Sequence, residues 1–306
     1  MTSEHVNPAT RLLLNTPMQE RINAIRRDRF IPYTRGKVVM EEMDKIMLTP
    51  SAVRAQCLAL VGASGMGKTA ILDFAQRRYV KLLGEEARRR LVCVILAQMT
   101  NDRRLFYGRI LKSLGIPYRK DDKPDFLHEQ VIDALRDAGA QVLVIDEFHN
   151  FLGGGVKAHL SEHMAAIRDI ANIPISIVGS RTGVVETCIL ADDQLEQRFS
   201  RYRLKAWEES DDLRDFLATW ESRIPLKLTS ELAGPVLLPL LMRLSRGHMR
   251  RMMNLIKLAT ELAVITQAER ITEELLRQAF QQLSTVSKGY AEKEISNTSE
   301  KGTKNG

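Results

Sequence analysis

Eight consecutive residues constrain this chain more than any others: Gly62-Ala63-Ser64-Gly65-Met66-Gly67-Lys68-Thr69, a match to G-x-x-x-x-G-K-[ST]. Glycines let backbone amides turn inward around an anion, and the glycine at 67 lets the backbone approach it closely. Lys68 supplies a point charge for the β- and γ-phosphates of a nucleotide, and Thr69 a hydroxyl for Mg2+. Such a loop works between a strand and a helix, whose positive end then aims at the same anion. The flanks comply: Cys57–Val61 is apolar and short, and Lys68–Leu83 reads as a helix. With glycine at about 7% of residues, the fixed positions meet by chance in on the order of one chain in a hundred. The segment therefore predicts an ATP site in which Gly62, Ala63, Ser64, Gly65, Met66, Gly67, Lys68, Thr69 and Ala70 surround the phosphates.

Past the loop, apolar runs alternate with helical periodicity. Leu91–Ala97, Gln141–Ile145 and Ile173–Val178 read as further strands, with Arg203–Ala206 as a fifth. Helices are predicted at Arg103–Leu114, Pro124–Asp137 and near Lys157–Ala171. Short strands apolar on both faces and spaced by helices imply a parallel sheet covered on both sides. After Trp207 only helical patterns follow: Glu208–Arg223, Pro235–Ser245, His248–Thr266 and Thr272–Leu283. Ahead of the sheet, Met1–Asn15 reads as a loose arm. Thr16-Pro17-Met18-Gln19 reads as a helix start closed by a capping box, and Arg35–Leu48 as a helix ended by Thr49-Pro50-Ser51. The expected organisation is an N-terminal arm with helices (1–50), an α/β ATPase core (51–207), a small helical lid (208–284) and a disordered polar tail (285–306).

Val142-Leu143-Val144-Ile145 runs straight into Asp146-Glu147. Two carboxylates at the end of an apolar strand repel one another unless a cation is near, and Mg2+ supplies the reason for them. Asp146 is expected to hold the metal, with Thr69, and Glu147 to polarise the attacking water. His149 reads as a loop histidine. The fourth strand leads into Gly179-Ser180-Arg181, which places Ser180 beside the acidic strand end, where its hydroxyl can bond the γ-phosphate or the water. Serine at a strand end is also common turn chemistry.

Composition narrows the setting. No apolar run reaches the roughly 18 residues needed to span a bilayer, and Met1–Pro8 has no basic segment followed by an apolar one. The three cysteines, Cys57, Cys93 and Cys188, are odd in number and far apart. Cys57 and Cys93 lie in strand-like runs as small hydrophobes, which suits a reducing cytoplasm. The net charge of +7 and pI of about 9.4 favour an anionic partner, nucleic acid first.

With these elements in order, residues 29–283 resemble the AAA+ ATPases. The resemblance implies the P-loop NTPase (AAA+) fold, an α/β parallel sheet flanked by helices, with a C-terminal helical lid. Ser180 maps to the first sensor. The arginine finger lies in a motif ending Arg-Phe, which Leu195-Glu196-Gln197-Arg198-Phe199 matches at Arg198, with Arg201 a neighbouring alternative. The second sensor lies in Gly-x-x-Arg, which Gly247-His248-Met249-Arg250 matches at Arg250, beside Arg251.

Within that class the chain is most similar to the TniB type of transposition ATPase, related to TnsC and MuB. The likeness rests on Arg29-Phe30-Ile31-Pro32-Tyr33-Thr34, the phosphate loop, Asp146-Glu147-Phe148-His149-Asn150 and Gly179-Ser180-Arg181-Thr182-Gly183. It implies an ATP- and Mg2+-dependent protein, cytoplasmic and nucleoid-associated in a bacterium. Such a protein forms homo-oligomers, as a ring or filament, on double-stranded target DNA. It recruits or activates a DDE transposase and takes cues from a target-selection protein. By analogy Phe30 and Tyr33 lie near the adenine.

DNA contacts are expected around the helix after the second strand, where Arg103 and Arg104 open it and Arg119 and Lys120 follow. Backbone binding needs only such cations and small donors. The main rival is another DNA-acting AAA+ ATPase, such as a helicase loader. An initiator would need a helix-turn-helix domain, for which there is no room after Leu283. A protein-remodelling machine would need an aromatic pore loop, and Phe106-Tyr107-Gly108 falls inside a helix. A non-catalytic switch would not need Glu147, Ser180 and Arg198.

Overall fold

The structure is a computed structural model that describes residues 5–27, 30–48, 55–95, 102–152, 157–181, 189 and 192–285. It divides into two compact units, Thr34–Lys205 and Met1–Tyr33 with Ala206–Gly306. Thr49-Pro50-Ser51, Arg29, Met99–Asn101, Thr182-Gly183, Cys188 and the tail from 286 onward lie outside the described residues.

The α/β unit runs α3 (Thr34–Leu48), β1 (Cys57–Val61), α4 (Lys68–Leu83), α5 (Glu85–Arg90), β2 (Leu91–Ile95), α6 (Arg103–Ser113) and α7 (Pro124–Asp137). It continues with β3 (Val142–Asp146), α8 (His149–Leu152), α9 (Lys157–Asn172), β4 (Ser176–Arg181), α10 (Asp193–Glu196) and β5 (Phe199–Arg203). The helices before Thr34 and after Lys205 belong to the other unit. The five strands are all parallel in the order β2-β3-β4-β1-β5. Every residue of β1 and β3 is buried, as expected for strands covered on both faces. Beneath them Phe106 stacks on Phe151 at 4.1 Å within a core that includes Leu111, Leu143, Ile167 and Ile177. This is the parallel α/β sheet expected of the sequence.

Two strands sit elsewhere than the apolar runs suggest. β4 starts at Ser176, three residues later than expected, because Pro174 has no N–H to give a ladder. Its far end extends through Ser180 and Arg181. β5 is Phe199–Arg203, four residues before the Arg203–Ala206 expected. Its sequence, Phe-Ser-Arg-Tyr-Arg, is polar because it is an edge strand, paired to β1 alone and largely exposed.

The helical unit holds α1 (Pro8–Arg11), α2 (Met18–Arg26), α11 (Asp211–Glu221), α12 (Leu237–Ser245), α13 (Met249–Ile265) and α14 (273–285). The arm is packed, not loose, through its described part. Asn7 caps α1 and donates its N–H to the Ser222 carbonyl at 2.8 Å, and Val6, Thr10 and Leu14 are buried. The capping box at Thr16 does not form. The Thr16 hydroxyl donates to the Leu13 carbonyl at 2.9 Å in the preceding turn, and Gln19 pairs with Asn23. Instead α2 is fixed by its arginines. Arg26 grips Glu261 of α13 with two bonds of 3.0 and 2.7 Å, and Arg21 grips Glu269 and the Pro225 carbonyl. No helix among the described residues is long and apolar enough to cross a membrane.

Candidate nucleotide-binding site

The loop from Gly62 to Gly67 leaves the C-terminal end of β1, and α4 begins at Lys68. Gly67, at the helix cap, has φ of 91°, a left-handed conformation that side chains resist. Gly62 passes so close to β5 that a Cβ on it would meet the Leu204 carbonyl at 2.7 Å. Leu204 in turn donates its N–H to the Val61 carbonyl at 2.7 Å, so the edge strand holds the base of the loop. Lys68 is 6% exposed, and its Nζ donates to the Gly62 and Ala63 carbonyls at 2.9 Å each. Met66 is buried under the loop. Thr69, Ala70, Ala63 and Ser64 are exposed, and Gly65 is half-buried.

The acidic pair ends β3, two strands from β1, with β4 between them. Ser180 lies opposite Leu60 of β1, and Gly179 opposite Ile145 of β3. The phosphate loop, Ser180 and Asp146 thus line the C-terminal edge of three adjacent strands, across about 10 Å. Asp146 is 6% exposed and Ser180 fully buried. The Ser180 hydroxyl donates to Asp146 Oδ1, which also accepts the Glu147 N–H at 3.0 Å. A buried carboxylate so held keeps an oxygen pointed at one place.

Glu147 has φ of 55°, a left-handed backbone in a residue with a side chain, and the bonds around it enforce the turn. Its N–H is also 3.2 Å from Ser180 Oγ, and its carbonyl accepts from the Asn150 N–H at 2.8 Å. Phe148, which enters the sequence analysis only as part of Asp146–Asn150 and with no role of its own, locks the corner: its ring is fully buried and its N–H donates to the Ser180 carbonyl at 2.9 Å. The backbone of His149 opens α8, and its side chain lies outside the described residues.

These residues fit a nucleotide and its metal. The loop offers inward-turning glycines and a buried ammonium; Thr69 and Asp146 offer one hydroxyl and one carboxylate. Among the described residues no three His, Cys, Asp or Glu side chains converge into a metal cage. Mg2+ in nucleotide sites is held by one or two protein oxygens together with phosphates, which is the donor set present.

Within the α/β unit, Arg198 lies away from this edge. Arg198 precedes β5, at the end opposite the phosphate loop: Cys57 pairs with Phe199, Val61 with Arg203, and the Cys57 N–H donates to the Arg198 carbonyl. One five-residue strand, about 17 Å, separates Arg198 from its own loop. Its guanidinium bonds the Ala171 carbonyl and Asn172 Oδ1 at the end of α9. Arg201 lies along β5 and meets Glu196 at 3.9 Å. Arg250 and Arg251, both exposed, open α13 in the helical unit, as do Phe30 and Tyr33 belong to that unit. Tyr33 is buried against Trp207 and Phe216 at 5.5 and 5.6 Å, with Phe30 at 6.1 Å.

The expected DNA contacts flank α6. Arg103 meets Glu162 at 3.4 Å and Asp125 at 3.8 Å. Arg104 bonds Asp102, the α6 cap, and holds that carboxyl below the usual range. Arg119 meets Asp121 at 3.2 Å, and Lys120 is exposed.

Comparison with known proteins places this geometry. The sequence profile of the family described as bacterial TniB protein matches residues 21–209. No curated protein sequence matches the chain significantly. Among solved structures, the Aeropyrum pernix ORC1 protein in complex with DNA matches with a TM-score of 0.64 and 16% identity, over 86% of this chain and 69% of that one. The ORC2 protein of the same organism, solved in ADPNP–ADP complexes, matches with 0.62 and 16%, over 85% and 71%. Drosophila ORC bound to DNA matches with 0.58 and 16%, over 87% and 65%. At such identities the likeness is one of fold, the AAA+ P-loop fold.

Proposed function

Because the chain belongs to the family of bacterial TniB proteins, we propose that it is an ATP-dependent, sequence-nonspecific DNA-binding AAA+ ATPase. In this reading it oligomerises on double-stranded target DNA and recruits or activates a DDE transposase. The observation that carries the ATPase part is the shared strand edge: the phosphate loop with buried Lys68, and the Asp146–Ser180 pair on the next two strands.

The residues divide the work. The loop amides and Lys68 bind the β- and γ-phosphates, and Thr69 with Asp146 would hold Mg2+. When bound, that ion neutralises charge on the phosphates. Ser180 fixes the Asp146 carboxylate. Glu147, presented by its left-handed turn, orients and polarises the attacking water. Arg198, a strand length from its own loop, serves the γ-phosphate of a neighbouring subunit, and Arg250 acts as second sensor. Phe30 and Tyr33 are assigned to the adenine end. The net charge of +7 supports a polyanionic partner, and Arg103, Arg104, Arg119 and Lys120 are assigned to phosphate contacts. A DNA-acting ATPase such as a helicase loader is the alternative, favoured by the fold shared with the DNA-bound ORC structures.

Electron microscopy of the protein with a non-hydrolysable ATP analogue, with and without duplex DNA, tests the assembly. Ordered rings or filaments on DNA are expected only with nucleotide. Added transposase should be retained on them; assembly without retention would favour the loader.

A further inference from the structure

A small cavity of about 30 Å³ opens within the helical unit. Its floor is apolar: Ile25 at the end of α2, Ile31, Ile224 with Pro225, and Trp220 at the end of α11. Thr260 also lines it, but its hydroxyl is spent on the Ile256 carbonyl at 2.6 Å. Its rim is cationic, formed by Arg27, Arg223 and Lys257. All of its lining residues belong to the helical unit.

Some arginines of this unit are paired to carboxylates. Arg21 is held by Glu269, Arg26 by Glu261 and Arg214 by Glu209. Among the described residues the Arg27 and Arg223 side chains have no such partner. Unpaired guanidinium groups beside an apolar depression call for a visitor that is apolar at its centre and anionic at its edges.

We propose that this cavity docks a short acidic peptide segment of a partner protein, seating the end of one apolar side chain on Ile25, Ile224 and Trp220 and its carboxylates on Arg27 and Arg223. The volume suits the end of one side chain and is too small for a whole small-molecule ligand. Duplex DNA fits it poorly, because phosphates lie along a broad surface and are met by cations and hydroxyl donors. An apolar floor gives them nothing. Binding of the peptide draws on charge, so it weakens with salt, and it needs no ATP.

The test is selection of a random dodecapeptide display library on the full-length protein without nucleotide, followed by titration of a synthetic enriched peptide. Enriched sequences should carry acidic residues around an apolar one. The Arg27→Glu, Arg223→Glu double variant should bind that peptide at least about tenfold more weakly, while keeping wild-type thermal unfolding and ATP-analogue binding. Because two charge reversals strain a fold, Arg223→Gln serves as a second variant and should weaken the same peptide several-fold. The proposal is overturned by a pool without acidic excess, by no enrichment, or by equal binding to either variant. It is also overturned if the double variant loses affinity for a short duplex by the same factor, since the rim would then serve nucleic acid. Failure of ATP-dependent DNA assembly would leave this result untouched, so the two readings are tested separately.

Discussion

Lys68 and Glu147 sit at one strand edge, yet their replacement removes different things. The Lys68 ammonium is buried and anchored to two loop carbonyls, so Lys68→Ala should abolish nucleotide binding. Unchanged affinity for a fluorescent ATP analogue would place the site elsewhere. Glu147 touches the water, not the phosphates, in the proposed chemistry. Glu147→Gln should therefore bind ATP normally and lose turnover by two or more orders of magnitude, about the scale of a general-base contribution. It should accumulate as ATP-bound oligomers; undiminished phosphate release would move the role to another group. The residue scale is also where the sequence was most and least legible. The loop was readable because phosphate chemistry dictates residue types at fixed spacing. The φ of 55° at Glu147 was not, since it follows from long-range bonds to Ser180 and Phe148 and not from the dipeptide. The thiols were readable: desolvation pushes the pKa of the buried Cys57 up to about 11 and of the half-buried Cys93 up to about 12, as for small hydrophobes in strands.

At the scale of elements, β1 and β3 were legible because burial on both faces leaves an unbroken apolar run, whereas β5 was not, because an edge strand keeps polar residues. The misplaced β5 bears on Arg198, which marks the start of that strand. Its distance from its own loop argues that any finger works in trans. Mixing Arg198→Ala with Lys68→Ala subunits should then restore part of the ATPase activity, from sites pairing an intact pocket with an intact finger. No rescue at any ratio, in oligomers shown to be mixed, counts against a shared site. Arg198 also ties the end of α9, so each variant needs a thermal-unfolding control. The N-terminal helices pose the opposite problem: their partners are far away in sequence. Arg21 and Glu269 are 248 positions apart, and no local pattern announces such a pair. Burial raises the Glu269 pKa, but the hydrogen bonds and charge of Arg21 outweigh it, and the net shift is downward from 4.5. A carboxylate with a lowered folded pKa contributes stability above its unfolded value, and that stability is lost as pH falls through the folded one. Glu269→Ala should thus cost about 2 kcal/mol at neutral pH, between the surface and buried limits. The difference from wild type should shrink in acid below about pH 4.5. Equal denaturation midpoints at neutral pH would show the pair to be idle.

For the molecule as a whole, charge and assembly act together. The chain carries a net +7, yet three of the four side chains assigned to DNA already have carboxylate partners: Arg103 with Glu162, Arg104 with Asp102 and Arg119 with Asp121. Each would have to share or exchange its partner for a phosphate, so one subunit gains little from binding DNA by itself. An oligomer multiplies the gain, because every subunit added brings its own contacts and releases its own counterions. DNA binding should therefore require ATP, be nearly indifferent to sequence, and weaken steeply with salt, with a log–log slope of about −0.9 per phosphate neutralised. Replacing Arg103, Arg104, Arg119 and Lys120 by alanine should flatten that slope and leave ATP affinity intact. The paired carboxylates sharpen the test. Asp121→Asn releases Arg119 from its partner without adding a cation, so it should raise affinity modestly at low salt if Arg119 meets phosphate. A quadruple variant with wild-type slope, together with no effect of Asp121→Asn, moves the DNA surface to another face. Absence of any ATP-dependent binding by the wild-type protein at low salt would sink the transposition reading itself and favour a protein-directed ATPase.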